Sequence, residues 1–234
     1  MRIVILQPGY LPWLGFFDQL YRCDRFVIYD DVQYTRRDWR SRNRIKTPAG
    51  AHWLTVPVIN RGRYQQLINK AEIDYSQDWV HKHLGSLKAN YIHAPFFQHY
   101  YAGLVASLAA RPERLLDLNI ALIKTCADWL GINTPLILAS ELQVEGSSSL
   151  RLLNICQRLG AGNYLTGDAA RDYLDEKLFT SAGVNIEYHG YQHPYYRQLH
   201  GSFIPYLSII DLLFNHGPES LAILTGEKRV ESEE

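Results

Sequence analysis

The sequence predicts an α/β fold of the three-layer type, built on a mostly parallel sheet. Short apolar runs of strand length alternate with segments of helical periodicity along nearly the whole chain. The first run, residues 2–6, leads into a loop, a helix and a second run within thirty residues, which is the pattern of a β-α-β unit. Apolar residues make up 47% of the 234 residues and charged residues 21%, a balance typical of a packed core. We therefore expect a Rossmann-like domain.

The elements follow in order. Pro12 stands near the first turn of the first predicted helix, where its missing N–H costs nothing. The clearest amphipathic helix covers residues 114–130 and is stopped by Gly131. Strands are predicted at residues 2–6, 25–29, 52–58, 135–139, 163–166 and 184–188. The other helical segments are residues 14–24, 79–108 with an interruption around residues 91–95, 150–159, 169–174 and 208–214.

The chain shows no repeat, linker or low-complexity stretch, so we expect a single α/β domain over residues 1–225. Residues 60–112 fit the strand–helix alternation least well, and one interpretation is a small helical insertion or cap. Residues 226–234 have the composition of a solvated tail.

Charge and cysteine content limit the class of protein. Lys and Arg number 24 and Asp and Glu 24, with a pI near 7.1, which argues against a dedicated nucleic-acid binder. The three cysteines are scattered and odd in number, which is typical of a reducing compartment. Neither a signal peptide nor an apolar run of membrane-spanning length is visible. We expect a cytoplasmic protein without a membrane span.

Residues 30–46, DDVQYTRRDWRSRNRIK, form the strongest functional signal. Six basic side chains stand there against three acidic ones, in a chain that is neutral overall. Guanidinium groups match carboxylate and phosphate in shape and charge, so we expect a small anionic substrate. The alternative is a solvated, salt-bridged segment. Because aliphatic residues are nearly absent, the segment is not expected to contribute to the core.

The secondary structure of this segment is open at the level of sequence. If it is helical, Arg36, Arg40 and Arg44 share a face. If it is extended, the shared face carries Arg40, Arg42, Arg44 and Lys46 instead. Both alternatives cluster cations, and aromatic and amide groups at Tyr34, Trp39 and Asn43 stand beside them for stacking or hydrogen bonding.

Further candidates follow predicted strands, at the carboxyl edge where open α/β sheets bind ligands. Asp30 and Asp31 are acid–base candidates, with a cap or an arginine partner as the alternative. Thr166, Gly167 and Asp168 form a strand-to-helix turn suited to an anion, or an ordinary capped turn. The full set of predicted binding residues is Gln7, Tyr10, Trp13, Gln33, Tyr34, Arg36, Arg37, Trp39, Arg40, Arg42, Asn43, Lys46, Thr166, Gly167 and Asp168.

The histidines give no metal site. His81 and His83 lack a nearby acidic ligand and are interpreted as surface residues. His189 and His193 are four residues apart, but Pro194 argues against a helical metal pair. We take His193 as a further acid–base candidate that lines a pocket.

Long motifs now connect the chain to a known family. QPGYLPWLGFFDQL, DDVQYTRRDWRSRNRIKTPAG and HWLTVPV resemble the WbqC-like family, and the likeness continues through EGSSSLRLL, GAGNYLTGDAARDYL and YLSIIDLLFNHGP. It thus covers nearly the whole chain. The resemblance implies a setting in bacterial surface-glycan, or O-antigen, synthesis more than it implies a reaction.

A remoter likeness concerns the first β-α-β unit, which resembles the start of HUP-superfamily nucleotidylyltransferases. In those proteins a strand leads into an HxGH turn that holds nucleotide phosphates. Gly15 would match the glycine of that turn, but Trp13 (or Pro12) and Phe16 stand where the histidines belong. The likeness therefore supports the architecture more than adenylyl transfer.

Together these observations predict a transferase-like enzyme of surface-polysaccharide biosynthesis. Its substrate would carry phosphate, as a nucleotide-activated sugar or an acyl or aminoacyl donor does, and the arginines would bind it. The sequence leaves the cofactor open and shows no metal site. The rival from another class is a non-catalytic scaffold that docks a glycan-assembly enzyme or carrier protein through the basic segment.

Overall fold

The computed structural model describes residues 1–228, and most of the predicted tail, residues 229–234, lies outside the described residues. The strands of the described part are β1 (Arg2–Leu6), β2 (Arg25–Ile28), β3 (Arg42–Thr47), β4 (Gly50–Thr55), β5 (Leu136–Leu138), β6 (Asn163–Thr166) and β7 (Asn185–Tyr188). Its α-helices are α1 (Leu14–Arg22), α2 (Trp79–Tyr91), α3 (Phe97–Ala109), α4 (Leu115–Leu130), α5 (Ser148–Leu159), α6 (Glu176–Ser181), α7 (Ile209–His216) and α8 (Ser220–Thr225).

Five of these strands form one parallel sheet in the order β5-β2-β1-β6-β7. This sheet, flanked by helices, confirms the predicted α/β fold class. Numbered by their succession along the chain, its strands run 3-2-1-4-5. The order reverses between β1 and β6, and parallel sheets bind ligands outside the carboxyl ends of the strands at such a reversal.

The apolar runs explain the central strands. Ile3, Val4 and Ile5 of β1 are buried in succession, as are Phe26, Val27 and Ile28 of β2. A strand covered on both faces needs apolar residues at every position instead of at alternate ones. Helix α5 covers the sheet through an apolar stripe that joins one buried cluster with Ile3, Ile5 and Val27, namely Leu152, Leu153, Ile155 and Cys156.

The third predicted strand, residues 52–58, lies in a different sheet from the one expected. Residues 50–55 pair antiparallel with β3 in a separate two-stranded sheet and do not join the parallel one. The reason lies in the turn TPAG between the strands. Thr47 donates its hydroxyl hydrogen to the Gly50 carbonyl (2.9 Å), and Gly50 has a φ of 104°, which is accessible to glycine alone at little cost.

The chain folds into two compact units. The first unit comprises Met1–Gln7, Asp18–Val32 and Asn133–Gln192 and contains the parallel sheet. The second comprises Pro8–Phe17, Gln33–Ile132 and the chain from His193 onward, and it contains the β3–β4 hairpin. Residues 60–112 belong entirely to the second unit and include α2 and α3. A single domain over residues 1–225 stays a prediction, as does the role of residues 60–112 as an insertion or cap.

The second unit has its own helical core. Helix α4 begins at Leu115 and ends at Leu130, and Gly131, which follows it with a φ of 73°, forms the left-handed cap expected from the sequence. Asn119, fully buried on this helix, donates its amide to the Arg40 carbonyl (2.8 Å) and thereby ties the basic segment to the core.

Helix length and hydropathy bear on membrane insertion. Within residues 1–228, every helix falls short of the length and apolar content that a bilayer span requires.

Candidate functional site

The basic segment is divided between the two units and between two conformations. Residues 30–32 belong to the first unit, and residues 33–46 belong to the second. Residues 42–47 form β3, so the extended alternative is the correct one there, whereas residues 34–41 contain only turns and irregular structure. The segment also enters the core, contrary to expectation, because Ser41, Asn43, Ile45 and Lys46 are all buried.

Three of its cations are engaged by neighbours in the second unit. Arg40 forms an ion pair with Asp38. Arg36 lies over the ring of Tyr64, 5.4 Å from its centroid. Lys46 is 1% exposed, and its ammonium group donates to the carbonyls of Gly201 (3.0 Å) and Ser202 (2.7 Å). Burial lowers the pKa of Lys46, which is consistent with an internal role.

Two other cations form a cluster with two exposed indoles, one on the hairpin and one in the turn before it, which we call the Arg–Trp cluster. Its members are Arg42, Arg44, Trp39 and Trp53. The guanidinium of Arg42 lies 4.2 Å from the centroid of Trp53, and that of Arg44 lies 5.7 Å from the centroids of both indoles. The indoles are 5.2 Å apart, and Trp39 and Trp53 are 41% and 38% exposed. The strand period places positions 42 and 44 on one face, with Trp53 directly opposite Arg44.

The charges of the Arg–Trp cluster lack an anionic partner among the described residues. Neither Arg42 nor Arg44 forms a salt bridge there, and the Nε atoms of both are buried without a hydrogen-bond acceptor. Arg44 donates one Nη hydrogen to the Tyr206 carbonyl (3.1 Å). Guanidinium groups stacked beside exposed aromatic faces can take an anion and a flat ring together.

Three predicted binding residues have buried polar groups that are already bonded within the second unit. The Tyr10 hydroxyl bonds Nδ1 of His83 (2.9 Å), and burial raises the pKa of Tyr10 well above its usual value. Tyr34 is likewise buried, and its hydroxyl donates to Ser41 (3.0 Å). Asn43 donates its amide to the carbonyl of Leu11 (2.7 Å). Their assignment to substrate binding stays a prediction.

Three more predicted residues lie at the surface of the second unit or close to it. Gln33 is exposed, and its amide donates to the Tyr64 carbonyl (3.2 Å). Arg37 is exposed with a φ of 53°. The Trp13 indole covers Gly15, where an added Cβ would lie 2.2 Å from the ring. The position that corresponds to the HxGH glycine thus accommodates an indole in this chain.

His193 lies in an aromatic cage within the second unit. Its ring stacks on Trp13 (6.4 Å) and contacts Tyr206 (5.1 Å). Its Nδ1 bonds the Pro194 carbonyl (2.9 Å), and its Nε2 accepts the backbone hydrogen of Tyr206 (3.1 Å). Burial lowers the pKa of His193. With both ring nitrogens bonded to backbone, its acid–base role stays a prediction.

The two aspartates follow β2 in the first unit and meet different partners. Asp30 is buried and accepts from the backbone and hydroxyl of Ser140, at 3.0 and 2.7 Å. Asp31 forms an ion pair with Arg151 of α5. These contacts correspond to the cap and the arginine partner that the sequence left open. The catalytic assignment of either aspartate is untested by them.

The remaining predicted residues lie at the carboxyl edge of the parallel sheet. Gln7 follows β1, and Thr166 ends β6 next to it. Gly167 precedes Asp168, which is exposed and accepts the backbone hydrogen of Gly190, two residues after β7 (3.1 Å). The edge expected from the sequence therefore does gather these residues.

The sequence pattern missed one aromatic residue and one side-chain pair. The run at residues 52–58 predicts only a strand at Trp53, although the TPAG turn before it signals a hairpin that brings Trp53 opposite Arg44. Asp18 and His189 form a buried pair in the first unit, with Nε2 and Oδ2 2.5 Å apart. Because 171 positions separate them in sequence, no local pattern announces this contact.

A metal centre finds no support in the described residues. Within residues 1–228, no group of three or more His, Cys, Asp or Glu side chains is arranged to hold a metal ion.

The chain matches one family model and is similar to a protein of another organism over nearly its whole length. The model of the WbqC-like protein family matches residues 7–223. The uncharacterized protein Rv1507c of Mycobacterium tuberculosis is 40% identical over 223 residues, which cover 94% of this chain and 95% of that protein. No solved structure matches the chain.

Proposed function

The chain belongs to the WbqC-like protein family, and on that premise we propose that it binds a phosphate-bearing donor and transfers a group from it during bacterial surface-polysaccharide biosynthesis. The donor would be a nucleotide-activated sugar or an acyl or aminoacyl donor. The Arg–Trp cluster would bind its anionic part.

One observation carries the proposal. Arg42 and Arg44 are stacked on exposed indoles and have no salt-bridge partner among the described residues, whereas Arg40 is paired with Asp38. What both guanidinium groups lack is a negatively charged partner, and an anionic ligand would supply one. Phosphate and carboxylate are the anions whose geometry the guanidinium fork matches.

The indoles restrict the ligand further. Trp39 and Trp53 present flat apolar faces next to the cations. A nucleobase stacked on an aromatic side chain contributes roughly 1–3 kcal/mol to binding, and cations add to such stacking. A ligand that joins a ring to a phosphate uses both features of the cluster at once. Nucleotide-activated sugars and nucleotide-containing acyl donors have that composition.

Replacement of Arg42 by alanine is expected to weaken donor binding by about 10- to 100-fold. A hydrogen bond to a charged group contributes roughly 1.5–3 kcal/mol, which corresponds to that range in affinity. The measurement is a thermal-shift screen of nucleotides, nucleotide-activated sugars and acyl-coenzyme donors, followed by calorimetric titration of the compounds that stabilise the wild-type protein.

Arg61→Ala is the matched control, because it removes one exposed arginine from the same unit and leaves the Arg–Trp cluster intact. It should bind the donor within about twofold of the wild-type affinity, as expected for a surface charge that solvent and salt screen. A well-folded wild-type protein that binds none of the compounds would contradict the proposal, and so would an Arg42→Ala variant with unchanged affinity.

The scaffold alternative retains one supporting observation. Tryptophan and arginine are the residue types that dominate protein–protein hot spots, and the cluster exposes both. A carrier protein or glycan-assembly enzyme could dock there without any small ligand. Affinity capture distinguishes the two functions: a partner that is lost in Arg42→Ala while no donor binds would favour the scaffold.

A further inference from the structure

The first unit contains a histidine–carboxylate pair at the ligand-binding edge of its parallel sheet. His189 directly follows β7, and its backbone N–H donates to the carbonyl of Thr166 at the end of β6 (2.9 Å). The pair is therefore attached to the carboxyl end of β6, the strand that borders the reversal in strand order. Parallel sheets of this order bind their ligands at that edge.

The pair is closely packed. Nε2 of His189 lies 2.5 Å from Oδ2 of Asp18, and the two side chains are 4% and 1% exposed. Arg22, one helical turn further along α1, donates its Nε hydrogen to the same oxygen (2.6 Å). The ring of Tyr191 stacks on the imidazole with centroids 5.2 Å apart.

These contacts fix which ring nitrogen is available. A hydrogen bond donated from Nε2 of His189 to the Asp18 carboxylate leaves the lone pair of the imidazole on Nδ1. Nδ1 makes no hydrogen bond with any other residue that the structure describes. A base whose second nitrogen is oriented by a carboxylate is the arrangement that activates nucleophiles in many hydrolases and transferases.

The titratable groups that surround the imidazole are less suited to act as the base than the imidazole itself. Among the titratable groups around it, Asp18 is already paired with Arg22. Burial raises the pKa of Tyr191 far above neutrality, so the phenol stays protonated. Oδ1 of Asp18 is buried and has no hydrogen-bond partner in the described part of the chain. A carboxylate with a purely structural role usually has both oxygens hydrogen-bonded, and Asp18 differs from that pattern.

We infer that His189 is a catalytic general base, held in position by Asp18, and that it accepts the proton of an acceptor hydroxyl or amine. The inference concerns the first unit alone and rests on the proposed function only for the class of reaction, a group transfer. The O–H or N–H bond breaks, its proton moves to Nδ1, and the acceptor atom bonds the transferred group. The bond between that group and its phosphate or thiol leaving group breaks, and the proton passes to the leaving group.

The experiment compares turnover and binding with a donor from the screen described above, using a hydroxyl- or amine-bearing sugar as the acceptor. His189→Ala is expected to retain donor affinity but to lose about 100- to 10,000-fold in turnover, the usual contribution of a general base. Added imidazole should restore part of the lost rate. His81→Ala, which removes an exposed histidine of the second unit, is the matched control and should behave as wild type.

Asp18→Asn tests the positioning role separately. It should lower turnover and displace the limb of the pH–rate profile that reports the base, an effect that a merely structural residue would not have. Turnover of His189→Ala within threefold of wild type would overturn the inference, as would a loss of rate that imidazole does not restore.

A second arm needs no donor and separates this inference from the proposed function. Nitrogen-15 NMR of the histidine side chains should show that the neutral imidazole of His189 carries its proton on Nε2 in the wild-type protein, and that this preference is lost in Asp18→Asn. If no donor binds but His189 shows this tautomer, the proposed function fails and the oriented imidazole stands. If the proton is on Nδ1 in the wild-type protein, the base assignment is overturned.

Discussion

Asp211→Asn is expected to gain stability over the wild type as the pH rises. The free energy of unfolding of the variant minus that of the wild type should be about 2 kcal/mol larger at pH 7 than at pH 4.5. Asp211 is fully buried on α7 of the second unit, and its carboxylate accepts from the Tyr91 hydroxyl (2.7 Å). Burial raises the pKa of Asp211 to about 6, although Tyr91, Tyr196 and Lys46 favour the charged form.

The sign follows from proton binding. In the unfolded chain the carboxyl has a pKa near 3.8, so between about pH 4 and pH 6 the folded protein binds more protons than the unfolded one. The stabilising contribution of Asp211 is thus present at low pH and is lost as the pH rises through 6. Asparagine does not titrate, and its carbonyl oxygen can still accept from Tyr91.

The measurement is urea denaturation of both proteins at several pH values between 4.5 and 7. The difference between variant and wild type is the informative quantity, because it cancels the titration of every other group. A difference that stays constant to within 0.5 kcal/mol across this range, on the order of the error of such a comparison, would show that Asp211 is ionised in both states.

His83→Asn is expected to produce a change of similar size and opposite sign. His83 is buried on α2, and its Nδ1 bonds the Tyr10 hydroxyl (2.9 Å). Burial lowers the pKa of His83 to about 4 from the ordinary 6.5. Between these values the unfolded chain binds more protons, so the contribution of His83 is present above pH 6.5 and is lost as the pH falls towards 4.

Relative to wild type, the free energy of unfolding of His83→Asn should therefore rise by about 2 kcal/mol as the pH is lowered from 7 to 4.5. The same urea series measures it, with His81→Asn as the control at an exposed site of the same helix. A larger gain for His81→Asn than for His83→Asn would contradict the prediction. The Asp211 and His83 effects oppose each other. Their combined contribution to the free energy of unfolding of the wild-type protein should therefore change little between pH 4.5 and pH 7.

Local patterns predicted much of the fold. The consecutive apolar residues of β1 and β2 indicated buried parallel strands, and the stripe of α4 with its terminal Gly131 indicated an amphipathic helix. These features depend on residues that are close in sequence. The hairpin was missed because the 52–58 run resembles a buried strand, and only the TPAG turn distinguishes its pairing partner.

The candidate site was less accessible to sequence reasoning. The pattern located a surplus of cations, but it did not reveal that Lys46 is buried against backbone carbonyls while Arg42 stacks on Trp53. His83, interpreted as a surface residue, is buried because its helix packs it against Tyr10. No local pattern indicates the contact of His189 with Asp18, because 171 positions separate the two residues. These features depend on tertiary contacts.

The central claim is that the Arg–Trp cluster binds the phosphate-bearing donor, and one NMR titration tests it most directly. The five tryptophans each give one indole N–H signal, and Trp39→Phe and Trp53→Phe assign the two that matter. We expect the signals of Trp39 and Trp53 to shift with one common saturation curve when a stabilising donor is added, while that of buried Trp79 does not shift. A donor that saturates the protein without moving either signal would contradict it.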